Sequence, residues 1–294
     1  MHGELAFPLH SVELDSRHQF FLPEAYVAEF GADDVALKRF IEMDLFAFRD
    51  GELLPQSDAF QQVLSFAKDY LKTDAQKLES LHFHNHVHTF HPVKGVIAVA
   101  LKLAILDGIP CQFEGYERIG LAAALHDIGN IVQRQRHEQI SVNVSRDLLV
   151  DLGYQEDMIR AVSDCIICTA IDFSTGIPQR VVCSREAKIL SDADLNNPGF
   201  SDVSNFAFES IKLWWELDFF NIKDYPTKGV ELTKKFFSDI GDYYTDAARY
   251  LFSPIKRQNM AALQAEVSRI MQQCQFDYDK LELLIKENDS RFLI

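Results

Sequence analysis

Half of the ten histidines in this chain lie in one short stretch, ESLHFHNHVHTFHPVKG, which covers residues 79–95. Imidazole can act as a general acid or base near neutral pH, and it is a common ligand of divalent metal ions. A histidine run alone is equally typical of surface or core histidines, so its meaning depends on partner residues elsewhere. The five histidines are His82, His84, His86, His88 and His91.

A second segment, GLAAALHDIGN at residues 120–130, places His126 and Asp127 side by side at the end of an apolar run. Adjacent helical residues point about 100° apart, so both can reach one point only near a helix end. Gly129 provides a helix stop directly after them. The spacing therefore predicts an imidazole and a carboxylate that meet at the end of a helix.

A third segment, ILSDADLNNPG at residues 189–199, places Asp192 and Asp194 at the end of another apolar run, before Asn-Pro-Gly. On a helix these two aspartates would point to different sides. Asp194 is the candidate ligand, and Asp192 is expected to cap a helix or to orient a ligand histidine rather than to bind metal.

Spacing also divides the histidine run. His84 and His88 are four residues apart and are expected to share a helical face, whereas His86 would point away and His82 would precede the helix. Imidazoles and carboxylates drawn from three helices would form a mixed nitrogen and oxygen site. Such a site suits a divalent first-row metal better than calcium or a thiolate-bound structural zinc.

This order of side chains resembles the signature of the HD superfamily of metal-dependent phosphohydrolases, over about residues 80–200. The signature is a histidine, a His-Asp doublet and a distant aspartate. The resemblance implies an HD-domain helical bundle in which Asp127 is also a catalytic residue. Local similarity to the catalytic core of cyclic-nucleotide phosphodiesterases implies that His84 protonates the leaving group. The implied metal ligands are His88, His126, Asp127 and Asp194.

The implied activity is hydrolysis of a phosphomonoester or phosphodiester of a nucleotide or small metabolite by a metal-activated water. A divalent ion (Mn, Fe, Ni, Co, Zn or Mg) would lower the pKa of bound water from about 15.7 towards 7 and bind a phosphoryl oxygen. Two alternatives are a non-hydrolytic HD-fold signalling or scaffold module and an HD-fold iron oxygenase. The oxygenase is disfavoured, since only His137 follows the doublet where two further histidines are usual.

Candidate substrate-binding residues follow the doublet in IVQRQRHEQ. Arg134 and Arg136 could hold phosphoryl oxygens through charge-assisted hydrogen bonds, or they could be solvated surface residues. His137 and Glu138 could anchor a bridging water or a second, loosely held ion, or His137 could simply cap the next helix.

The sequence also departs from the family pattern. Pro92 must delay or kink the helix that follows His88, and no glutamine is placed to clamp a purine.

The chain is predicted to be all-α, because apolar residues recur at helical spacing and breaks hold Gly, Pro, Asp or Asn. No sheet is expected, and residues 1 to about 33 show no clear period. We expect an amino-terminal extension at 1–78, an HD core at 79–200 and completing helices at 201–294. The predicted helices are 34–49, 56–72, 94–107, 114–127, 138–152, 156–170, 203–217, 228–252 and 257–273.

Composition limits the partners. A net charge of −15 provides no basic face for a nucleic-acid polymer, so a small phosphorylated substrate is expected instead. No apolar run approaches the roughly 20 residues that span a bilayer, and five cysteines are an odd number, so a cytoplasmic chain with reduced thiols is expected. Cys165 and Cys168 form a C-x-x-C without a second pair and are expected in the core.

The last long helix carries an apolar stripe at three- and four-residue spacing. This stripe is typical of a core helix and also of a dimer seam, so a homodimer is possible. Its members are Met260, Leu263, Val267, Ile270 and Cys274.

Overall fold

The computed structural model describes residues 8–73, 81–181 and 184–290, and there the chain is all-α apart from two small antiparallel sheets. The predicted fold class is confirmed. No helix in these ranges is both long and apolar enough to cross a bilayer. The helices are α1 (Glu24–Phe30), α2 (Asp34–Glu42), α3 (Asp58–Thr73), α4 (His86–Phe90), α5 (Val96–Leu106), α6 (Glu114–Leu125), α7 (His137–Asp151), α8 (Glu156–Ile167), α9 (Arg185–Asp194), α10 (Asn197–Phe200), α11 (Val203–Glu216), α12 (Val230–Asp239), α13 (Asp246–Gln273) and α14 (Tyr278–Ser290).

The amino-terminal segment contains a β-hairpin that the sequence did not predict. Its buried residues Val12, Phe20 and Leu22 join the same core as the helices, so the expectation of no sheet and no regular structure there is wrong. Only Val12 of the first strand is fully buried, so the strand lacks the clear alternation of apolar and polar residues by which a strand is recognised in a sequence. The strands are β1 (Leu9–Asp15) and β2 (His18–Pro23), with a second small sheet from β3 (Ile171–Asp172) and β4 (Gln179–Arg180).

Helix α5 lies at the centre of the larger core. All eleven of its residues are buried, which requires that neighbouring elements surround it on every side. Helices α4, α6 and α9 all pack on α5. These three helices hold or immediately precede the candidate ligands, so α5 is the element that brings distant parts of the sequence to one place.

One polar residue of α5, Lys102, is buried with them. Its Nζ donates hydrogen bonds to the carbonyls of Ile41 (2.8 Å), Met43 (2.7 Å) and Val93 (3.0 Å). Ile41 lies in the last turn of α2, where carbonyls have no partner within the helix. Lys102 therefore ties the end of α2 to the loop that follows α4.

Two predictions about helix boundaries near the histidine run are resolved. The interruption expected at Pro92 is confirmed, because α4 ends at Phe90 and α5 begins at Val96. The shared helical face of His84 and His88 is wrong. The Asn85 side chain accepts a hydrogen bond from the backbone N–H of Val87 and caps α4, so His84 precedes the helix.

The carboxy-terminal third also differs from its predicted boundaries. The predicted helix 228–252 is broken between α12 and α13, whereas α13 runs through Pro254 without a break. Pro254 is exposed, so water can bind the carbonyl that proline leaves without a donor.

The apolar stripe of α13 is covered within the chain. Leu263, Val267, Ile270 and Cys274 are fully buried in a second core formed with α11 and α14. This confirms the core-helix alternative for the stripe, which leaves no exposed seam there for a second copy. Cys165 and Cys168 are likewise buried.

We predict that Lys102→Met lowers the free energy of unfolding at pH 7 by about 2–4 kcal/mol, because three carbonyls lose their donor. Burial lowers the pKa of Lys102 from 10.5 to about 7. Between these values the unfolded chain binds a proton that the folded chain lacks, so this group makes folding more favourable as the pH rises. Urea unfolding should therefore show the wild type gaining stability relative to the variant above pH 7, by up to about 1.4 kcal/mol per pH unit. Parallel pH profiles would contradict this account.

Candidate metal centre

Three of the predicted ligands converge. The ligand atoms of His88, His126 and Asp194 all lie within 4.8 Å of one another, so this group could hold a metal ion. The Oδ1 atom of Asp194 is 3.1 Å from Nε2 of His88 and 3.4 Å from Nε2 of His126. Residues 106 positions apart in the chain thus meet at one point.

Asp127, the fourth predicted ligand, lies beside this group. Its Oδ2 atom is 3.3 Å from Nε2 of His126 and 3.7 Å from Nε2 of His88. The carboxylate therefore faces both imidazoles, although it is not part of the group whose ligand atoms all lie within 4.8 Å of one another.

Two buried atoms of this centre have no hydrogen-bond partner among the described residues: Nε2 of His126 and Oδ2 of Asp127. Nδ1 of His126 lies 2.9 Å from the Ala123 carbonyl, which can only accept, so Nδ1 carries a hydrogen and Nε2 offers its lone pair. Buried polar atoms without a partner cost free energy. A cation between these two atoms would satisfy both, so the residues present fit a metal ion.

The electrostatics of the centre also favour positive charge. Burial opposes protonation of His126, but the carboxylates of Asp127 and Asp194 outweigh it and raise the pKa of this imidazole well above its usual value. Burial raises the pKa of Asp194, and the neighbouring imidazoles of His126 and His88 more than reverse this. Protons and a metal ion would therefore compete for the same place.

The doublet is positioned by the end of a helix. Helix α6 ends at Leu125, and the chain continues as a 3-10 turn, Ile128–Ile131. The hydroxyl of Ser141 in α7 accepts from the N–H of Gly129 (2.9 Å) and donates to the carbonyl of His126 (2.6 Å). This single hydroxyl fixes the turn against α7.

His84 is held by a residue that the sequence did not reveal, Glu216 at the end of α11. Nδ1 of His84 is 2.5 Å from Oε1 of Glu216, and Oε2 accepts from the N–H groups of Phe83 (2.7 Å) and His84 (3.0 Å). Burial opposes the charged imidazole, but the Glu216 carboxylate outweighs it and raises the pKa of His84 to about 9. The ring centroids of His84 and His88 are 6.0 Å apart.

Arg134 also meets Glu216. Its Nη1 donates to the backbone carbonyl of Glu216, and its Nε lies 3.8 Å from the carboxylate. Arg136 is exposed and has a left-handed backbone, with φ of 59°, directly before α7. Contact of either arginine with a substrate stays a prediction.

His137 and Glu138 begin α7 next to the doublet. Nε2 of His137 is 3.4 Å from Oδ1 of Asp127 and 3.6 Å from Oε1 of Glu138. Nδ1 of His137 lies 3.1 Å from the Arg134 carbonyl, so it donates there. His137 is thus the first residue of α7 rather than its cap, which is Arg136, and it is also a neighbour of Asp127. Its contact with a bridging water or a second ion stays a prediction.

The remaining histidines of the run have other surroundings. His82 stacks on Trp215 with ring centroids 4.1 Å apart. Burial and the nearby lysines of α3 lower the pKa of His86. His91 is buried, and its Nδ1 accepts from the N–H groups of Val93 and Lys94.

Asp192 is completely buried but turns away from the ligand histidines. Its carboxylate accepts from Arg180 (2.5 Å), from the N–H of Tyr244 (2.9 Å), and from both the N–H and hydroxyl of Thr245, the residue that caps α13. Its role is to join α9 to the start of α13, and no histidine is among these partners.

A pattern in the sequence could have revealed Glu216. Four long polar residues recur at four-, three- and four-residue spacing, so they share one face of a helix that is otherwise mostly apolar. All four are buried on α11, and the members are Asn205, Glu209, Lys212 and Glu216.

Comparison of the chain with protein-family models, with curated proteins and with solved structures found no match. The resemblance to the HD superfamily therefore stays a prediction. What the centre can do must be inferred from its own contacts.

We predict that Gly129→Ala disrupts the centre. A Cβ atom there would lie 2.0 Å from the carbonyl oxygen of His137 and 2.8 Å from the backbone nitrogen of Ser141, so α7 would have to move. Thermal unfolding should show that the free energy of unfolding falls by about 2–3 kcal/mol. The variant should also retain less metal than the wild type.

Gly115→Ala on α6 is the matched control, because its Cβ would approach no atom closer than 3.4 Å. That variant should differ from the wild type by no more than about 1 kcal/mol. Equal stability of the two variants would show that α7 does not depend on the close approach at Gly129.

Proposed function

We propose that this chain is a metal-dependent phosphohydrolase of the HD type, acting on a phosphomonoester or phosphodiester of a nucleotide or small metabolite. The observation that carries the proposal is the convergence of His88, His126 and Asp194, with Asp127 facing the same point. Two imidazoles and two carboxylates suit a divalent first-row ion (Mn, Fe, Ni, Co, Zn or Mg).

A divalent ion bound by these residues would supply Lewis acidity toward a phosphoryl oxygen and an acidified water at neutral pH. The protein supplies the orientation of the ligands. Nδ1 of His126 is fixed on the Ala123 carbonyl, and such an anchor holds a ring in the tautomer that binds metal.

His84 supports the proposal as the group that protonates the leaving oxygen. Its Nδ1 is occupied by Glu216, so Nε2 is the nitrogen available to a substrate. Because Glu216 raises the pKa of His84 to about 9, the imidazole carries its proton at neutral pH. Proton transfer from a positioned acid is what a poor leaving group needs.

Exposure indicates the side from which a substrate would approach. The side chains of His126 and Asp127 are 1% and 4% exposed, whereas those of Asp194, His84 and His137 are each 19% exposed. The partly exposed groups are thus neighbours of the buried ones, since Asp194 lies 3.4 Å from His126 and His137 lies 3.4 Å from Asp127. A small phosphorylated molecule would approach through these partly exposed groups, and Arg134, which contacts Glu216, is a candidate cation for it.

We predict that the protein retains a divalent metal, at about one ion per chain after reloading with manganese, and that His88→Ala and Asp127→Ala lose most of it. Removing either ligand takes away one of the few atoms that offset the ion's dehydration. Elemental analysis after mild gel filtration measures the content. His86→Ala is the control and should keep its metal.

Two results would contradict the metal centre. Equally little metal in the wild type and in Asp127→Ala would mean that the site does not exist. Loss of metal in His86→Ala with retention in His88→Ala would mean that the wrong histidine has been assigned.

The turnover prediction concerns His84. With manganese, nickel or cobalt, the protein should release p-nitrophenol from mono- or bis-p-nitrophenyl phosphate, and a nucleotide panel should then rank the natural class. His84→Ala should keep its metal yet slow hydrolysis of substrates with poor leaving groups by roughly 100- to 10,000-fold. The loss should shrink for p-nitrophenyl esters, whose leaving group needs little protonation.

Glu216→Gln provides the matched variant, since it leaves the imidazole and removes the charge that raises its pKa. Hydrolysis of poor leaving groups should begin to fall at a lower pH than in the wild type, because less His84 is protonated. Identical pH profiles would exclude His84 as the acid. Complete inactivity of metal-loaded wild type toward all esters would favour the non-hydrolytic scaffold alternative.

A further inference from the structure

Asn130 contacts the candidate ligand Asp127 directly. The two residues lie three apart at the 3-10 turn, where the N–H of Asn130 donates to the carbonyl of Asp127 (3.0 Å). Side chains three residues apart eclipse each other in 3-10 geometry, whereas an α-helix would offset them. The Nδ2 group of Asn130 accordingly donates to Oδ1 of Asp127 at 3.1 Å, and Asn130 is only 6% exposed.

The contact divides the two oxygens of Asp127 between different neighbours. Oδ1 faces Asn130 and, at 3.4 Å, Nε2 of His137. Oδ2 faces His126 and His88 and has no hydrogen-bond partner among the described residues. A carboxylate oxygen can only accept, so the amide must turn its N–H toward Oδ1.

A second cation would need that same oxygen. Oδ1 of Asp127, Nε2 of His137 and Oε1 of Glu138 form a chain of potential ligand atoms with successive distances of 3.4 and 3.6 Å. A carboxylate that bridges two ions must give one oxygen to each. Here the Asn130 amide already donates to Oδ1, the oxygen that a second ion would need, and the positive end of this amide repels a cation.

We propose that Asn130 is a positioning residue that presents Oδ2 of Asp127 to the metal group and restricts the centre to one ion. The inference rests on the proposed metal centre and adds that Asn130 determines how many ions the centre binds. His137 and Glu138 then serve as neighbours of Asp127 rather than as ligands of a second resident ion.

The test is a manganese titration followed by elemental analysis and electron paramagnetic resonance. The wild type should bind one Mn²⁺ and give the six-line spectrum of an isolated ion. Asn130→Asp keeps the shape of the side chain, removes the N–H and adds a ligand oxygen, so it should bind two ions and show spin coupling between them. Asn143→Asp on α7, an exposed position, adds the same charge elsewhere and should still bind one.

Asn130→Ala gives a second and independent result if the aspartate variant does not fold. It frees Oδ1 and removes the anchor of Asp127, so the first ion should bind about 10- to 100-fold more weakly, and a second should bind at higher concentration. Two ions in the wild type would overturn the role of Asn130. So would one ion in Asn130→Asp, or wild-type binding in Asn130→Ala. No ion in the wild type would instead overturn the metal centre itself.

Discussion

The two carboxylates of Asp127 and Asp194 are the constraint around which this molecule is organised. Burying a charge without a partner is costly, and the Asp127 and Asp194 side chains are only 4% and 19% exposed. The imidazoles of His88 and His126 lie within 3.7 Å of at least one of them. Helix α5 and the Ser141 hydroxyl matter because they hold these groups in contact.

A second buried charge pair repeats this arrangement beside the first. Glu216 has no exposed side-chain surface, and it is balanced by His84 and by the backbone N–H groups of residues 83 and 84. The two groups of charges differ in whether every carboxylate oxygen has a hydrogen-bond partner. The Glu216 carboxylate is satisfied by the protein, whereas Asp127 keeps one oxygen without a hydrogen-bond partner among the described residues. In the proposed function, the Asp127 oxygen without a hydrogen-bond partner is the atom that binds the ion, and His84, paired with Glu216, is the proton donor beside it.

The sequence predicted the parts of this centre that depend on local chemistry. The His-Asp doublet and the following glycine predicted a helix end, which the structure confirms. The predicted ligands His88, His126 and Asp194 do converge. It could not predict contacts set by the three-dimensional packing. Glu216 is 132 residues from His84, and only the packing of α11 brings it there. The prediction that His84 and His88 share a helical face was wrong because Asn85 caps α4, so the helix begins after His84. A four-residue spacing alone does not show where a helix begins. Asn130 was overlooked because the predicted helix 114–127 ends before it, and the sequence pattern gave no geometry for the turn that follows, which the structure shows as a 3-10 turn.

The order of these residues along the chain has a consequence for biosynthesis. Every candidate metal ligand has been translated once Asp194 is made, whereas Glu216 follows only after α10 and most of α11. A nascent chain on the ribosome could therefore bring the candidate metal ligands together while His84 is still unanchored. The candidate metal ligands would then belong to the part of the core onto which the carboxy-terminal helices dock, and the pair of His84 and Glu216 would be completed last.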